Sequence, residues 1–172
     1  QLFAAVVNTL TEFDSIETVS IFLNGCNDIT ANGSLPPQKH GKYALNVENA
    51  EIATSGSAKP LTLYFPNESG SLMIPITRYA EGSTDLYSCI QQLAAGTELR
   101  GLRSCFPENT LVLGAVIENG ILTVNLSSDF ETVANDAGLL NLATQSVLLT
   151  ALPYGSINEV HFAVNGIPLK ID

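Results

Sequence analysis

The feature that most constrains the fold is a repeat between the two ends of the 172-residue chain. Residues 14–25, DSIETVSIFLNG, align with residues 155–166, GSINEVHFAVNG, without a gap. Apolar side chains alternate in both segments, and a period of two is typical of a half-buried strand. A repeat between segments so far apart predicts two related structural units in one chain.

Each repeated strand follows a helical pattern. Before the first strand, Leu2, Val6 and Leu10 share one helix face; residues 139–151 show the same spacing before the second. We therefore expect residues 1–25 to be the closing helix and strand of a first module whose opening strands are missing from this sequence. Residues 26–59, rich in Asn, Gly, Ser and Pro, predict a linker.

Residues 60–172 predict one complete module. Alternating and helical apolar spacings give the order strand, strand, helix, strand, strand, helix, strand. This order favours an α+β fold with both helices packed on one face of a sheet. Pro75 cannot donate to a strand ladder, so its strand should lie at an edge or carry a bulge.

A hairpin is predicted at Asn119-Gly120, since both residues tolerate a positive φ. A two-residue turn would place Ile117 opposite Leu122, Ala115 opposite Val124 and Leu113 opposite Leu126. These side chains then share one apolar face, so the pattern and the register agree.

Charge and hydropathy exclude several classes of function. The chain has 17 acidic and 7 basic side chains, a net charge of −10, and so lacks the basic patch that nucleic acid requires. No apolar run reaches the roughly 20 residues of a membrane span. The sequence opens at Gln1 without a signal peptide, which indicates a processed product or an excerpt.

Catalytic and metal-binding patterns are not found. His40 and His161 have no ligand at metal-binding spacing, and no nucleophile motif is present, so we expect no enzyme activity, no metal and no cofactor. His161 should be a surface residue. The three cysteines, Cys26, Cys89 and Cys105, allow a Cys89–Cys105 bridge or buried, inert thiols.

Arg78, Tyr64 and Tyr79 are the candidate partner-binding residues. Arg78 is one of seven cations and ends a predicted strand, where it would either face a partner or form a local ion pair or carbonyl contact. If it faces a partner, Arg78→Glu should leave the melting temperature nearly unchanged. The tyrosines would anchor an interface or belong to a second packing layer.

Six short segments resemble successive blocks of the GerMN domain, a sporulation and germination module of bacterial envelope lipoproteins. They are LYFPN at 63–67, IPITR at 74–78, LAAG at 93–96, FPE at 106–108, VIENG at 116–120 and VNLSSDF at 124–130. The resemblance spans residues 60–170, and residues 6–25 resemble the end of a preceding copy. LAAG departs from the family pattern, in which a proline follows the glycine.

The resemblance implies an extracytoplasmic protein, membrane-bound only through an anchor outside this chain, that binds other envelope proteins. It also implies a core at 83–165 similar to ring-building motifs of bacterial secretion and sporulation assemblies. We therefore expect a noncatalytic interaction or scaffolding module, with self-association by strand-edge pairing as a further expectation. The alternatives are a module that binds cell-wall glycan or peptide and, third, a hydrolase built on scattered carboxylates.

Overall fold

The computed structural model describes residues 2–23, 26–27 and 39–169. The backbone divides into two compact units, Gln1–Ala44 and Leu45–Asp172. Within the described ranges, no helix is both long enough and apolar enough to cross a bilayer.

The first unit contains a helix and a short hairpin. Helix α1 (Leu2–Leu10) precedes strands β1 (Phe22–Leu23) and β2 (Cys26–Asn27), which pair antiparallel. The side chain of Asn8 makes two hydrogen bonds to the backbone of Tyr43. Its amide donates to the Tyr43 carbonyl at 2.9 Å, and its oxygen accepts from the Tyr43 amide at 2.7 Å. These two bonds hold the segment around residue 43 against the helix.

The second unit follows the predicted order of elements, with short additions. Its elements are β3 (Val47–Glu48), β4 (Lys59–Pro66), β5 (Met73–Ala80), α2 (Leu86–Ala94), β6 (Val112–Glu118), β7 (Ile121–Leu126), α3 (Glu131–Ala134), α4 (Ala137–Ala151), β8 (Glu159–Val164) and β9 (Ile167–Pro168). Three 3₁₀ turns are also described in this unit: Ile52–Ser55 after β3, Ser128–Phe130 before α3 and Leu152–Tyr154 after α4.

Two hydrogen-bonded sheets, rather than one, form the second unit. Their strand orders are β3-β5-β4 and β6-β7-β8-β9. Helices α2 and α4 cover the inner faces of both sheets, and the buried side chains form one core that includes Leu63, Phe65, Ile76, Ile90, Leu93, Val124, Phe130, Val147 and Phe162. The α+β class with helices packed on the sheet is confirmed.

Helix α4 explains why the sheet divides. Ser146 Oγ donates to the Tyr64 carbonyl at 2.5 Å, and the Tyr64 amide donates to Thr150 Oγ1 at 3.0 Å. Both hydroxyl side chains are almost fully buried. These hydroxyls form the hydrogen bonds that a neighbouring strand would otherwise form with the outward amide and carbonyl of Tyr64. Helix α4 therefore lies beside this edge of β4 instead of another strand.

Pro75 lies opposite Tyr64, at a pair that exchanges no backbone hydrogen bonds. Strand β5 is central in its sheet, but β3 covers it only at Thr77 and Arg78. On the β3 side, Pro75 therefore has no neighbouring strand, as predicted for an edge position. Its carbonyl accepts a hydrogen bond from the Asn46 side chain at 2.8 Å.

The hairpin at Asn119-Gly120 is confirmed, with φ values of 53° and 81°. Two predicted pairs, Ile117–Leu122 and Ala115–Val124, are present. The third is wrong, since a bulge between Val112 and Gly114 places Val112 opposite Leu126. The bulge turns Leu113 outward, where 47% of its surface is exposed.

The two repeated segments end in the same way. Helices α1 and α4 end at Leu10 and Ala151, which are equivalent when the alignment of the repeat is extended backwards. In the same alignment, the pairs Phe22–Asn27 and Leu23–Cys26 correspond to Ala163–Pro168 and Val164–Ile167. Asn24 and Gly25 lie outside the described residues.

Residues 45–58, expected in the linker, belong to the second unit. Strand β3 pairs in parallel with β5, and the Leu45 carbonyl accepts from the Thr77 amide at 2.8 Å. Residues 28–38 of the expected linker are not among those described. The boundary at 44/45 thus differs from the expected one because the segment that carries β3 is bound to β5.

Ser146→Ala should lower the free energy of unfolding by about 1–3 kcal/mol, since it leaves the buried Tyr64 carbonyl without its donor. Urea unfolding measures the change. Thr144→Ala is the matched control, because among the described residues the Thr144 hydroxyl bonds only to the Leu140 carbonyl of its own helix. Equal effects of the two substitutions would contradict an edge-closing role for Ser146.

Candidate functional site

A cleft of about 570 Å³ opens between the segment after β3 and the end of α2. Its floor contains Glu48 and Arg78, and its lining includes Glu51, Thr97 and Glu98. None of the side chains that line it is aromatic. The cleft is concave and several polar groups converge in it, so it is the candidate binding site of the second unit.

Arg78 lies on the inner face of β5, the face that also carries Ile76, and only 6% of its surface is exposed. Its Nε and Nη2 donate to Glu48 Oε2, at 2.8 and 2.5 Å. Two carbonyls at the end of α2 take the remaining donors: Gln92 O lies 2.5 Å from Nη1, and Gly96 O bonds to Nη2. A cation beside the carbonyl end of a helix is also favoured by the helix dipole.

The second oxygen of Glu48 binds the loop that follows α2. Glu48 Oε1 accepts from the Thr97 hydroxyl and from the Glu98 amide, the latter at 3.1 Å. Glu48, Arg78 and Thr97, with the carbonyls of Gln92 and Gly96, are here called the Arg78 clamp. The clamp joins β3, β5 and the end of α2.

The electrostatics of the clamp fix its ionisation. Burial raises the pKa of the Glu48 carboxyl, but hydrogen bonds from Thr97 and Arg78, the charge of Arg78 and the Glu98 amide outweigh burial and hold the pKa below its ordinary value. Glu48 is therefore a carboxylate at neutral pH. A general acid must carry a proton, so Glu48 is unsuited to that role in a hydrolase.

Arg78 has the local ion pair and carbonyl contacts that were the alternative interpretation, and a role for it in binding a partner stays a prediction. Its planar group is directed to Glu48, Gln92 and Gly96, so its donors are occupied by the protein itself. The alternation of Ile74, Ile76 and Arg78 was the signal that placed it on the core side. Because Arg78 is engaged in this ion pair, we now expect Arg78→Glu to lower the melting temperature.

Tyr64 and Tyr79 are half-buried and lie on the face of the sheet opposite Arg78. Tyr64 is opposite Pro75 and Tyr79 is opposite Pro60. The structure therefore does not bring the three candidate residues together. An anchoring role for the tyrosines stays a prediction.

Glu48 was missed by the sequence analysis because it lies in the expected linker, far from Arg78 along the chain. No local pattern connects the two positions. The weak signal was Val47-Glu48, an apolar residue followed by a carboxylate within the expected linker.

His161 and the cysteines have structural surroundings. The His161 side chain is 47% exposed, and its Nε2 lies 2.8 Å from Glu159 Oε1, which confirms a surface histidine. Cys89 and Cys105 are buried and unbonded, and burial raises the pKa of both thiols, for Cys105 to about 11. The interpretation as buried, inert thiols is thus confirmed over a bridge.

Comparison with known proteins gives one family and its relatives. A family model described as Germane, sporulation and spore germination, matches residues 62–170. The spore germination protein GerM of Bacillus subtilis (strain 168) is 28% identical over 181 aligned positions, which cover 96% of this chain and 48% of GerM. The chain thus spans about half the length of that curated relative.

Two of the solved structures that are similar to the chain come from GerM. The tandem GerMN domains of the sporulation protein GerM from Bacillus subtilis give a TM-score of 0.69 at 25% identity, covering 95% of this chain and 60% of that one. The first GerMN domain of the same protein gives 0.51 at 23% identity, covering 65% and 86%. The second likeness shows the fold alone.

Arg78→Met should lower the free energy of unfolding by about 3–5 kcal/mol, because it leaves the buried Glu48 carboxylate without its counter-ion. Urea or thermal unfolding measures the loss. Arg100→Met, at an exposed arginine of the same unit, is the control and should change stability by less than about 0.5 kcal/mol. A small effect of Arg78→Met would contradict the structural role of the clamp.

The clamp should also make stability fall in acid. A carboxyl whose pKa is lowered in the folded state contributes stability above its ordinary pKa of about 4.3, and this contribution is lost as pH falls through the lowered value. The stability difference between the original chain and Glu48→Gln should therefore narrow from pH 7 toward pH 3. Unfolding at a series of pH values tests this; stability curves of the two proteins that stay parallel from pH 7 to pH 3 would contradict it.

Proposed function

We propose that this chain, which belongs to the Germane family of sporulation and spore germination, is a noncatalytic protein-interaction module. Its place is the bacterial cell envelope, outside the cytoplasm, with any lipid anchor lying outside these residues. The partners are other envelope proteins of sporulation or germination.

The observation that carries this proposal is the acidic rim of the cleft. On the floor, Arg78 neutralises Glu48, so that pair adds no net charge. At the rim, Glu51 and Glu98 are exposed and have no ion pair among the described residues. A basic segment of a partner would be attracted to this rim, first by the net charge of −10 and then by the two carboxylates.

The chemistry of the cleft favours a protein partner over a glycan. Sugar rings commonly pack against aromatic side chains, and the cleft lining contains none. Tyr64 and Tyr79 are on the opposite face of their sheet and cannot supply that surface to the cleft. A basic peptide segment needs only carboxylates, carbonyls and space for its side chains.

The first unit fits a partial module of the same kind. Its helix end and hairpin register repeat those of the second unit, and the tandem GerMN structure aligns with most of the chain. We interpret residues 1–25 as the closing helix and strand of a first GerMN-like module. The tandem arrangement would present two related surfaces to the same assembly.

Charge reversal at the rim tests the proposed function. The purified chain is used as bait in envelope extracts of sporulating bacteria, and captured proteins are cross-linked and mapped. Glu51→Lys/Glu98→Lys should weaken capture by at least about tenfold, because like charges would then meet at the contact. The cross-links should join the cleft to Lys- or Arg-rich segments.

The matched control is Glu108→Lys/Glu131→Lys, which makes the same change of charge at exposed positions outside the cleft. Capture should persist in this control. If both double variants lose capture equally, the loss is caused by the change in net charge and not by the change in the cleft. If neither loses it, the cleft is not the binding surface.

A further inference from the structure

Strand β6 is an edge strand of the second unit, and no described residue bonds to its outer backbone groups between Gly114 and Ile117. Strand β4 is closed by hydroxyls of α4. Strands β3 and β9 have two residues each, and β9 ends in Pro168. Strand β6 has seven residues and pairs on one side only, with β7.

The hairpin turn fixes which backbone groups of β6 point outward. Glu118 and Ile121 flank the two-residue turn and exchange hydrogen bonds, and the bonding then alternates along the strand. The backbone groups of Ala115 and Ile117 consequently point away from β7. No described residue bonds to them.

Along this edge the residues 112–117 are apolar, and Glu118, at the end of β6, is the one charged residue of the strand. Leu113 and Val116 are 47% and 50% exposed. No charged residue or proline occurs at positions 109–117. Natural proteins usually protect such an edge with Lys, Pro or a β-bulge; the bulge of β6 precedes Gly114, so the stretch from Gly114 to Ile117 has none of these and can pair with another strand.

We propose that two copies of this chain pair along β6, antiparallel, with a two-fold axis at Val116. Ala115 would exchange both backbone hydrogen bonds with Ile117 of the partner subunit, and Ile117 with Ala115 of the partner subunit. This adds four hydrogen bonds and joins two four-stranded sheets into one. The bulge at Leu113 lies just outside the paired residues.

The sequence of the edge is complementary to itself in this register. Val116 meets Val116 of the partner subunit, and two β-branched side chains pack well across strands. Glu118 lies opposite Gly114 of the partner subunit, and the space above Gly114 is open. The glutamate side chains therefore clash with nothing at the contact.

Charge confines any contact between two copies to this edge. Two chains of net charge −10 repel one another over most of their surfaces, and the neutral edge is where they can approach. Antiparallel pairing separates the two Glu118 positions by four residues, or about 14 Å along the strand. A parallel pairing would set them side by side.

Sedimentation velocity of the full 172-residue chain, from low micromolar to several hundred micromolar, tests the proposal. We expect a monomer–dimer equilibrium. Val116→Lys should raise the dimer dissociation constant by at least about tenfold, because it places two ammonium groups opposite each other. Ile167→Lys is the control, since it adds the same charge at a 72% exposed position on the far edge of the sheet.

Three results would overturn the proposal: a monomer at every concentration, a dimer that Val116→Lys leaves intact, or equal loss in both variants. A cross-link tests the register directly. Val116→Cys in a Cys26→Ser background should form an intermolecular disulfide under mild oxidation, since Cα atoms of such a pair lie about 4.5 Å apart. Ile167→Cys should not, and equal cross-linking of both would exclude this axis.

This inference goes beyond the proposed function, because β6 is not part of the cleft. Both tests use the purified chain alone. A negative result would leave partner capture at the cleft unaffected, and loss of capture would leave the dimer unaffected.

Discussion

A buried ion pair between Glu48 and Arg78 is the interaction on which the second unit depends. Removing two charges from water costs several kcal/mol for each, and the pair is stable only if its remaining donors and acceptors are met. The Arg78 clamp meets them with Thr97, the Glu98 amide and two carbonyls at the end of α2. The segment after residue 44 consequently folds with the second unit, and a cleft forms above the pair.

The two long edge strands of the second unit, β4 and β6, differ in whether their outer backbone groups are hydrogen-bonded. Helix α4 closes β4 through Ser146 and Thr150, so the sheet ends there and the core is sealed by a helix. Strand β6 is left open, and its apolar side chains are exposed. The acidic cleft and this neutral edge are separate surfaces, suited to a basic partner and to a second copy of the chain respectively.

The features of the fold that depend on local sequence patterns were predictable. The hairpin at Asn119-Gly120, the order of elements and the repeat of the last strand follow from turn chemistry and periodicity. The bulge beside Leu113 was not predictable, because one extra residue changes the register without leaving a signal in the apolar pattern. Similarly, the Ser146 and Thr150 hydroxyls act on β4, a strand that lies far before them in the chain.

Arg78 shows the limit of interpretation by residue type. A lone arginine at a strand end suggested a partner, although its alternation with Ile76 placed it in the core. Its acceptor, Glu48, lies much earlier in the chain, in a segment with few structural signals. Only the pairing of β3 with β5 brings these two positions together, and long-range pairing of this kind is not encoded by local sequence.

A double-mutant cycle at Glu48 and Arg78, measured by urea unfolding at neutral pH, tests the central claim most directly. If the pair is the structural centre of the second unit, Glu48→Met and Arg78→Met should be strongly non-additive, with a coupling energy of at least about 2 kcal/mol. The double variant should then be more stable than Arg78→Met alone. Additive effects of the two substitutions would contradict the account.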